Sequence, residues 1–223
     1  MAYRTPARIA AQKEARRQLF VETAVRLFGM HGYAATTVPM IVKEAGLSTG
    51  GFYFYFRNKE DIFAAAMEHL GHRISAAVSD AIAGQKNPIL QMRAAVEGLF
   101  LFLAANPTEA RILLVESAGL TERLEGIRRE LLAIHSRGVE NALKALAPVL
   151  PAMSPPVVAR CWVGAVYQAA LWRLEQTPGS RPSAEAVARE VAGFNLRGIG
   201  ANSPAIAAAE KARAVHAKKR RPS

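Results

Sequence analysis

One cysteine, Cys161, is all that the 223 residues contain, so no disulfide can form within the chain and an oxidising, secreted setting is not what this composition suits. The thiol is expected to behave as a small buried apolar residue. Long apolar runs are scarce as well. The most apolar stretch, Ala94 to Ala105, carries Glu97 and falls short of the roughly 20 residues that cross a bilayer. The first eleven residues lack the apolar core of a secretory signal, and a cytoplasmic protein without membrane attachment is expected. Catalytic patterns are equally thin. Ser117 and Ser136 have no recognisable activating partner, and His69 and His72, at i and i+3, have no obvious third metal ligand. The expectation is a chain that is not an enzyme and holds neither cofactor nor metal.

Acidic residues are the other shortage, 18 against 29 basic ones, and the resulting net charge of +11 is unevenly spread. Residues 1–20 hold five basic side chains, Arg4, Arg8, Lys13, Arg16 and Arg17, against Glu14. Residues 201–223 hold six, Lys211, Arg213, Lys218, Lys219, Arg220 and Arg221, against Glu210. A nearly neutral body thus has a basic arm at each end, and such arms suit a polyanion through phosphate neutralisation and counterion release.

What fills the body is helix. Alternation of the strand type is almost absent, and apolar residues recur at spacings of three and four, which makes the fold class all-α. Phe20, Ala24, Leu27 and Phe28 build one face of a first helix that Gly32 ends. Thr37 suits the N-cap of a short second helix with Pro39 in its first turn and an inward face of Val38, Ile41, Val42 and Ala45. Gly46 stops that helix, and Ser48 can cap a third after only Gly46 and Leu47, giving two short helices joined by a tight turn. Asn58 can cap a fourth. Further helices are predicted at 59–83, 88–104, 107–117, 121–147, 155–175 and 183–199, separated by glycine and proline breaks.

The segment 36–63, TTVPMIVKEAGLSTGGFYFYFRNKEDIF, concentrates hydroxyls, glycines and aromatics in one place. Small polar caps leave backbone N–H groups free for phosphate, and a short helix can offer side chains to a major groove. Phe52 and Phe56 are expected to be its buried anchors. Here the sequence resembles the TetR family of transcriptional regulators, through Leu27-Phe28, Gly32-Tyr33, Thr36-Thr37, Ala45-Gly46-Leu47-Ser48, Phe52-Tyr53-x-Tyr55-Phe56 and Asn58-Lys59-Glu60. The specific likeness covers about residues 16–66; beyond it only helix number and layout match.

The resemblance implies double-stranded operator DNA as partner. It implies that Thr37 bonds a phosphate, that Ser48, Thr49, Gly50 and Gly51 lie at the start of the recognition helix, that Tyr53 and Tyr55 touch backbone or base edges, and that Lys59 pairs with a phosphate. Val38, Thr49, Gly50 and Gly51 offer no bidentate pairing to guanine or adenine, so thymine methyl contacts, water and DNA shape are expected to supply part of the specificity. Arg4 and Arg8, placed before the first helix, form an arm able to cross the backbone or enter a minor groove.

The division expected is a basic arm and three-helix helix-turn-helix domain at 1–58, a larger helical effector-binding and dimerisation domain at 59–200, and a basic tail at 201–223, helical in part and disordered at its end. In the resemblance, two late helices from each subunit form the interface of a homodimer. Val158, Trp162, Ala165 and Ala169 on one helix, with Val187, Val191 and Phe194 on the next, are the candidates. Met67, Phe100, Glu116, Trp162 and Tyr167 are bulky or polar on otherwise apolar helices and are the candidate contacts of a small, largely apolar effector. The expected function is a sequence-specific DNA-binding regulator, a repressor released from a near-palindromic operator by that effector. The alternatives are a DNA-binding protein without an effector, and a tail-driven nonspecific binder of DNA or membrane surfaces.

Overall fold

The computed structural model describes residues 6–201 with the exception of 149. Arg4 and the basic tail from residue 202 onward, with the helix and disorder expected of it, lie outside the described residues. Among the described residues nine α-helices follow in order: α1 (Pro6–Ala35), α2 (Val38–Ala45), α3 (Thr49–Tyr55), α4 (Lys59–Ile82), α5 (Pro88–Ala105), α6 (Pro107–Arg111), α7 (Glu122–Leu146), α8 (Pro155–Glu175) and α9 (Ala184–Gly198). A π-helical turn, Ile112–Glu116, continues α6. No strand occurs among the described residues.

The local chemistry explains the breaks. Gly32 adopts φ 81° and ψ 165° inside the span of α1, a conformation closed to a residue with a Cβ, and the chain there leaves helical geometry. Gly46 at φ 64° closes α2 as a left-handed cap, its N–H reaching the carbonyls of Lys43 and Val42. Thr37 Oγ1 accepts from Met40 N at 3.4 Å, Ser48 Oγ from Gly51 N at 3.1 Å, and Asn58 Oδ1 from Asp61 N at 2.8 Å, so α2, α3 and α4 each start on a side-chain cap.

The helices gather into two compact units. The first comprises the described residues up to Ser75 together with Leu103–Leu131. Its core joins Phe20, Ala24, Leu27 and Phe28 of α1 to Ile41 and Val42 of α2, Phe52 of α3, Phe56, and Ile62, Phe63, Met67 and Leu70 of α4, closed by Ile112 and Leu124. The expected boundary at residue 58 therefore coincides with no break in packing, because the first half of α4 supplies the largest share of that core. Edge-to-face rings hold it in register: Phe20 against Phe52 at 5.5 Å and Phe28 against Phe63 at 4.8 Å between centroids. Gly29, buried in α1, lies so close to α6 that an added Cβ would fall on the Thr108 methyl and 2.5 Å from the Thr108 carbonyl oxygen.

The second unit comprises Ala76–Phe102 and the described residues from Leu132. Gly98 of α5 lets α4 approach, an added Cβ there coming within 2.5 Å of the Ala81 Cβ. Helix α8 lies on α9, with Ala159, Trp162, Val166 and Ala170 of one and Val187, Ala188, Ala192 and Leu196 of the other buried. Asn195, itself buried, donates from Nδ2 to the Trp162 carbonyl at 3.3 Å. Arg181 ends α8 by donating to the carbonyls of Leu174 and Gln176, each at 2.9 Å. Among the described residues one helix, the 18-residue α5, is long and apolar enough by composition to cross a membrane. Buried core helices share that property, and Met92, Val96 and Phe100 of α5 are buried in protein.

One thiol expectation is overturned. Cys161 is exposed, not buried. It stands on the outward line of α8 with Val157, Gly164, Gln168 and Trp172, turned away from the inward line that carries Trp162.

Candidate nucleic-acid interface

The first unit presents its shortest helix most openly. Along α3, Phe52 is fully buried and Phe56, just past its end, nearly so, while Thr49, Gly50, Tyr53 and Phe54 face solvent. Tyr55 and Gly51 are half-buried, which corrects the expectation that Tyr55 stands free beside Tyr53. Its ring leans on Phe20, with centroids 6.3 Å apart. A seven-residue helix without such anchors would be marginal in water; buried aromatics at the middle of α3 and just past its end fix its orientation instead.

Helix α1 runs beside it. Lys13 Nζ sits 5.1 Å from the Phe54 centroid, Arg17 Cζ 5.6 Å from that of Phe56, and Phe20 is buried against Phe52. Positions 13, 17 and 20 follow the helical repeat, so the basic residues of the N-terminal segment form a rigid rim. Arg8 is an exposed residue in the first turn of α1, not part of an arm that precedes it as the sequence suggested. Pro6 accounts for this, since a fixed φ near −65° and a missing N–H are well tolerated at a helix start.

The caps lie on the same unit. Thr37 and Ser48 are exposed, each with its oxygen turned to its own helix, leaving the hydroxyl proton available. Lys59 has a structural task that its position did not reveal. Its Nζ donates to the carbonyls of Tyr33 at 2.9 Å and Ala34 at 3.3 Å and rests 4.4 Å from the Tyr33 ring centroid, so two of its three N–H groups close the end of α1. Tyr33 is thereby part-buried; desolvation, and next the charge of Glu60, raise its phenol above the ordinary range.

Thr36 is fully buried, with Oγ1 donating to the carbonyls of Gly32 at 2.8 Å and Leu27 at 3.2 Å. These are acceptors released where Gly32 breaks α1. The turn Arg57-Asn58 is tied by Asp61, whose carboxylate accepts from Arg57 N at 3.1 Å, Arg57 Nε at 2.8 Å and Arg123 Nη1. The Arg57 hydrogen bond, reinforced by Arg123, holds the Asp61 carboxyl far below the usual range despite partial burial. The Arg57 side chain is 83% exposed beyond this contact and borders a pocket with Arg17 and Arg123, beside Asp61 and Glu68.

The five effector candidates divide between the two units. Met67 is sealed in the core of the first unit, and Glu116 in that unit is engaged: Oε2 accepts from Tyr33 N at 3.0 Å and Oε1 from Arg111 Nε at 3.0 Å. Phe100 and Trp162 are buried in the second unit, and Tyr167 there is half-buried. His135 of that unit is half-buried, its Nε2 is buried without a hydrogen-bond partner among the described residues, and desolvation lowers its pKa. Of the seven interface candidates, Trp162 and Val187 turn inward, Val158, Ala165, Ala169 and Val191 are half-buried, and Phe194 is 64% exposed. The pair His69 and His72 acquires no third ligand, and no group of three or more His, Cys, Asp or Glu suited to a metal occurs among the described residues. His69 Nδ1 instead faces Gln18 Nε2 at 3.3 Å.

Residues 20–66 match the bacterial regulatory proteins of the tetR family. The HTH-type transcriptional regulator YerO of Bacillus subtilis (strain 168) is 39% identical over 54 residues, which cover 24% of this chain and 19% of YerO. YhgD of the same strain, also an HTH-type transcriptional regulator, is 23% identical over 197 residues, 84% of this chain and 98% of YhgD. The fold is that of FadR from Bacillus subtilis, solved with stearoyl-CoA, at TM-score 0.72 and 19% identity, covering 82% of this chain and 98% of FadR. It is also that of AibR, solved with isovaleryl coenzyme A and operator DNA, at TM-score 0.64 and 24% identity, covering 80% and 97%.

Proposed function

We propose that the chain, whose residues 20–66 match the bacterial regulatory proteins of the tetR family, is a DNA-binding transcriptional regulator that acts as a homodimeric repressor released from a near-palindromic operator by a small, largely apolar ligand. The observation that carries the DNA-reading part is the outward face of α3, held by buried Phe52 and Phe56 and flanked by the exposed caps Thr37 and Ser48. Thr37, Ser48 and the remaining N–H of Lys59 position phosphates. Thr49, Gly50, Gly51, Tyr53 and the free edge of Tyr55 meet the groove, and Arg4 and Arg8 add phosphate contacts beside it.

The dimer part is supported by apolar surface on the second unit. Trp172 and Phe194 are 47% and 64% exposed, and Val157 lies open on the same helix as Trp172. An uncovered line of large apolar side chains is a liability that a second copy removes. The ligand part is supported by the solved relatives, two of which carry an acyl-CoA. A ligand with greater affinity for the form that cannot engage both half-sites weakens operator binding by that difference in affinity.

Selection of bound duplexes from a random pool tests the first part, run with the full chain and with a chain ended at Ala201. A palindrome recovered by both supports the regulator; binding without sequence enrichment that vanishes on truncation supports the tail-driven alternative. Titration of the selected complex with saturated and branched acyl-CoA thioesters then tests release. Operator binding that no acyl thioester alters, even in large excess, favours regulation without such an effector.

A further inference from the structure

The recognition face contains a side chain that its hydroxyls and glycines obscure. Phe54, at 65%, is the most exposed of the large apolar residues described, and Tyr53 beside it is 55% exposed. Thr49, Gly50, Tyr53 and Phe54 stand at i, i+1, i+4 and i+5, which is a single face of α3. The Phe54 ring is not left free to swing. Tyr55 meets it edge to face with centroids 4.9 Å apart, and the Lys13 ammonium approaches it to 5.1 Å from the side of α1.

Gly50 is equally hard to explain from within the protein. Its φ is not positive, and a Cβ added there meets nothing within 4 Å. Neither backbone conformation nor packing requires glycine, which costs a helix stability relative to alanine. Gly126, Gly138 and Gly164 are helical glycines with the same freedom, so what sets Gly50 apart is its place beside Tyr53 and Phe54 on an exposed face.

The face offers only the Thr49 hydroxyl and the Tyr53 phenol as hydrogen-bonding groups, and neither makes a bidentate pair with a purine. The distinctive apolar feature on the major-groove edge of a base pair is the thymine 5-methyl group. We propose that Phe54 is a specificity-determining residue that reads thymine methyl groups, with Gly50 admitting the duplex closely enough for the contact. This rests on the assignment of α3 as the DNA-reading helix.

The test uses the full chain and the operator it selects, with each thymine of a half-site replaced in turn by uracil. That exchange deletes a methyl and preserves base pairing. The wild-type protein is expected to lose about fourfold in affinity per contacted methyl. Phe54→Ala is expected to bind the thymine and uracil duplexes equally, and Phe54→Leu to retain part of the difference. Thermal melting confirms that the variants fold, as an exposed position allows. Gly50→Ala is expected to melt no lower than wild type and to bind the operator at least about tenfold more weakly.

A wild-type protein indifferent to uracil at every position, a half-site selected without thymine, or a Phe54→Ala protein that keeps the full uracil penalty overturns the assignment. Gly50→Ala with unchanged affinity overturns the close-approach part. Failure to select any sequence is a different outcome, because it removes the DNA-reading assignment beneath both.

Discussion

The two compact units solve the same packing problem with different side chains. The first is closed by large aromatics, Phe20, Phe28, Phe52, Phe56 and Phe63, and by polar ties that reach across its helices, such as Lys59 to the end of α1 and Glu116 to Tyr33 N. In the second, α8 and α9 meet largely through alanines, with Trp162 as the one large ring between them, and Val157, Trp172 and Phe194 are left facing solvent. The contrast separates two requirements. A face that must present a few atoms to a duplex needs a rigid support, which interlocking rings provide. Helices that meet through small side chains can sit close together and keep their large apolar residues for a further partner.

The largest effect that can test this contrast is in the aromatic core. Phe63→Ala removes a ring buried between Phe28 and Tyr33, and the first unit is expected to lose about 3–5 kcal/mol of stability. Thermal melting would show the loss, and operator binding would fall with it at temperatures where the wild type is still folded. A melt unchanged within error would show that the rings are not what makes this unit rigid.

Glu116→Ala comes next. It leaves Tyr33 N without its acceptor and Arg111 without its partner, at the point where Gly32 has already broken α1. The expected cost is about 1–3 kcal/mol, with operator affinity reduced because Tyr33 precedes the caps of α2. Glu116→Gln, which keeps an oxygen acceptor, should recover much of the affinity. If both variants bind as wild type, the junction is held by Lys59 and Thr36 alone.

In the second unit the expected response is in assembly instead of folding. Phe194→Ala and Trp172→Ala remove exposed side chains, so the far-UV spectrum and the melt at high protein concentration should change little. Sedimentation at micromolar concentration should show monomer where the wild type is dimer, with loss of palindrome binding. Two variants that remain dimeric would place the contact between copies on some other surface.

Helix number, order and bounds were readable because each break carries a residue with one conformational use: Gly32 and Gly46 at positive φ, Pro88, Pro107 and Pro155 at helix starts, Thr37, Ser48 and Asn58 as caps. Facing was readable where apolar and polar residues alternate sharply, as in α1 and α2. It was not readable in α8, where nearly every residue is apolar or small: Cys161, expected to be buried, is exposed, and Trp162, a candidate for the contact between copies, is buried. Long-range partners were invisible for another reason. Nothing near Lys59 or Glu116 in the sequence shows that each also reaches the end of α1, 25 and 83 residues away.

The smallest expected effect concerns His135, the half-buried histidine of the second unit. Its Nε2 has no partner among the described residues, and burial lowers its pKa below that of an exposed histidine. Below about pH 6.5 the unfolded chain takes up a proton that the folded state resists, so the unfolded state binds more protons and stability falls as the pH drops. Stability from this group is intact above the unfolded pKa and is lost on the way down to the folded one. His135→Leu should therefore flatten the decline in melting temperature between pH 7 and pH 5, while His72→Gln at an exposed position serves as the control. A slope that His135→Leu leaves unchanged would assign the acid sensitivity to the first unit, where burial also lowers the pKa of His69.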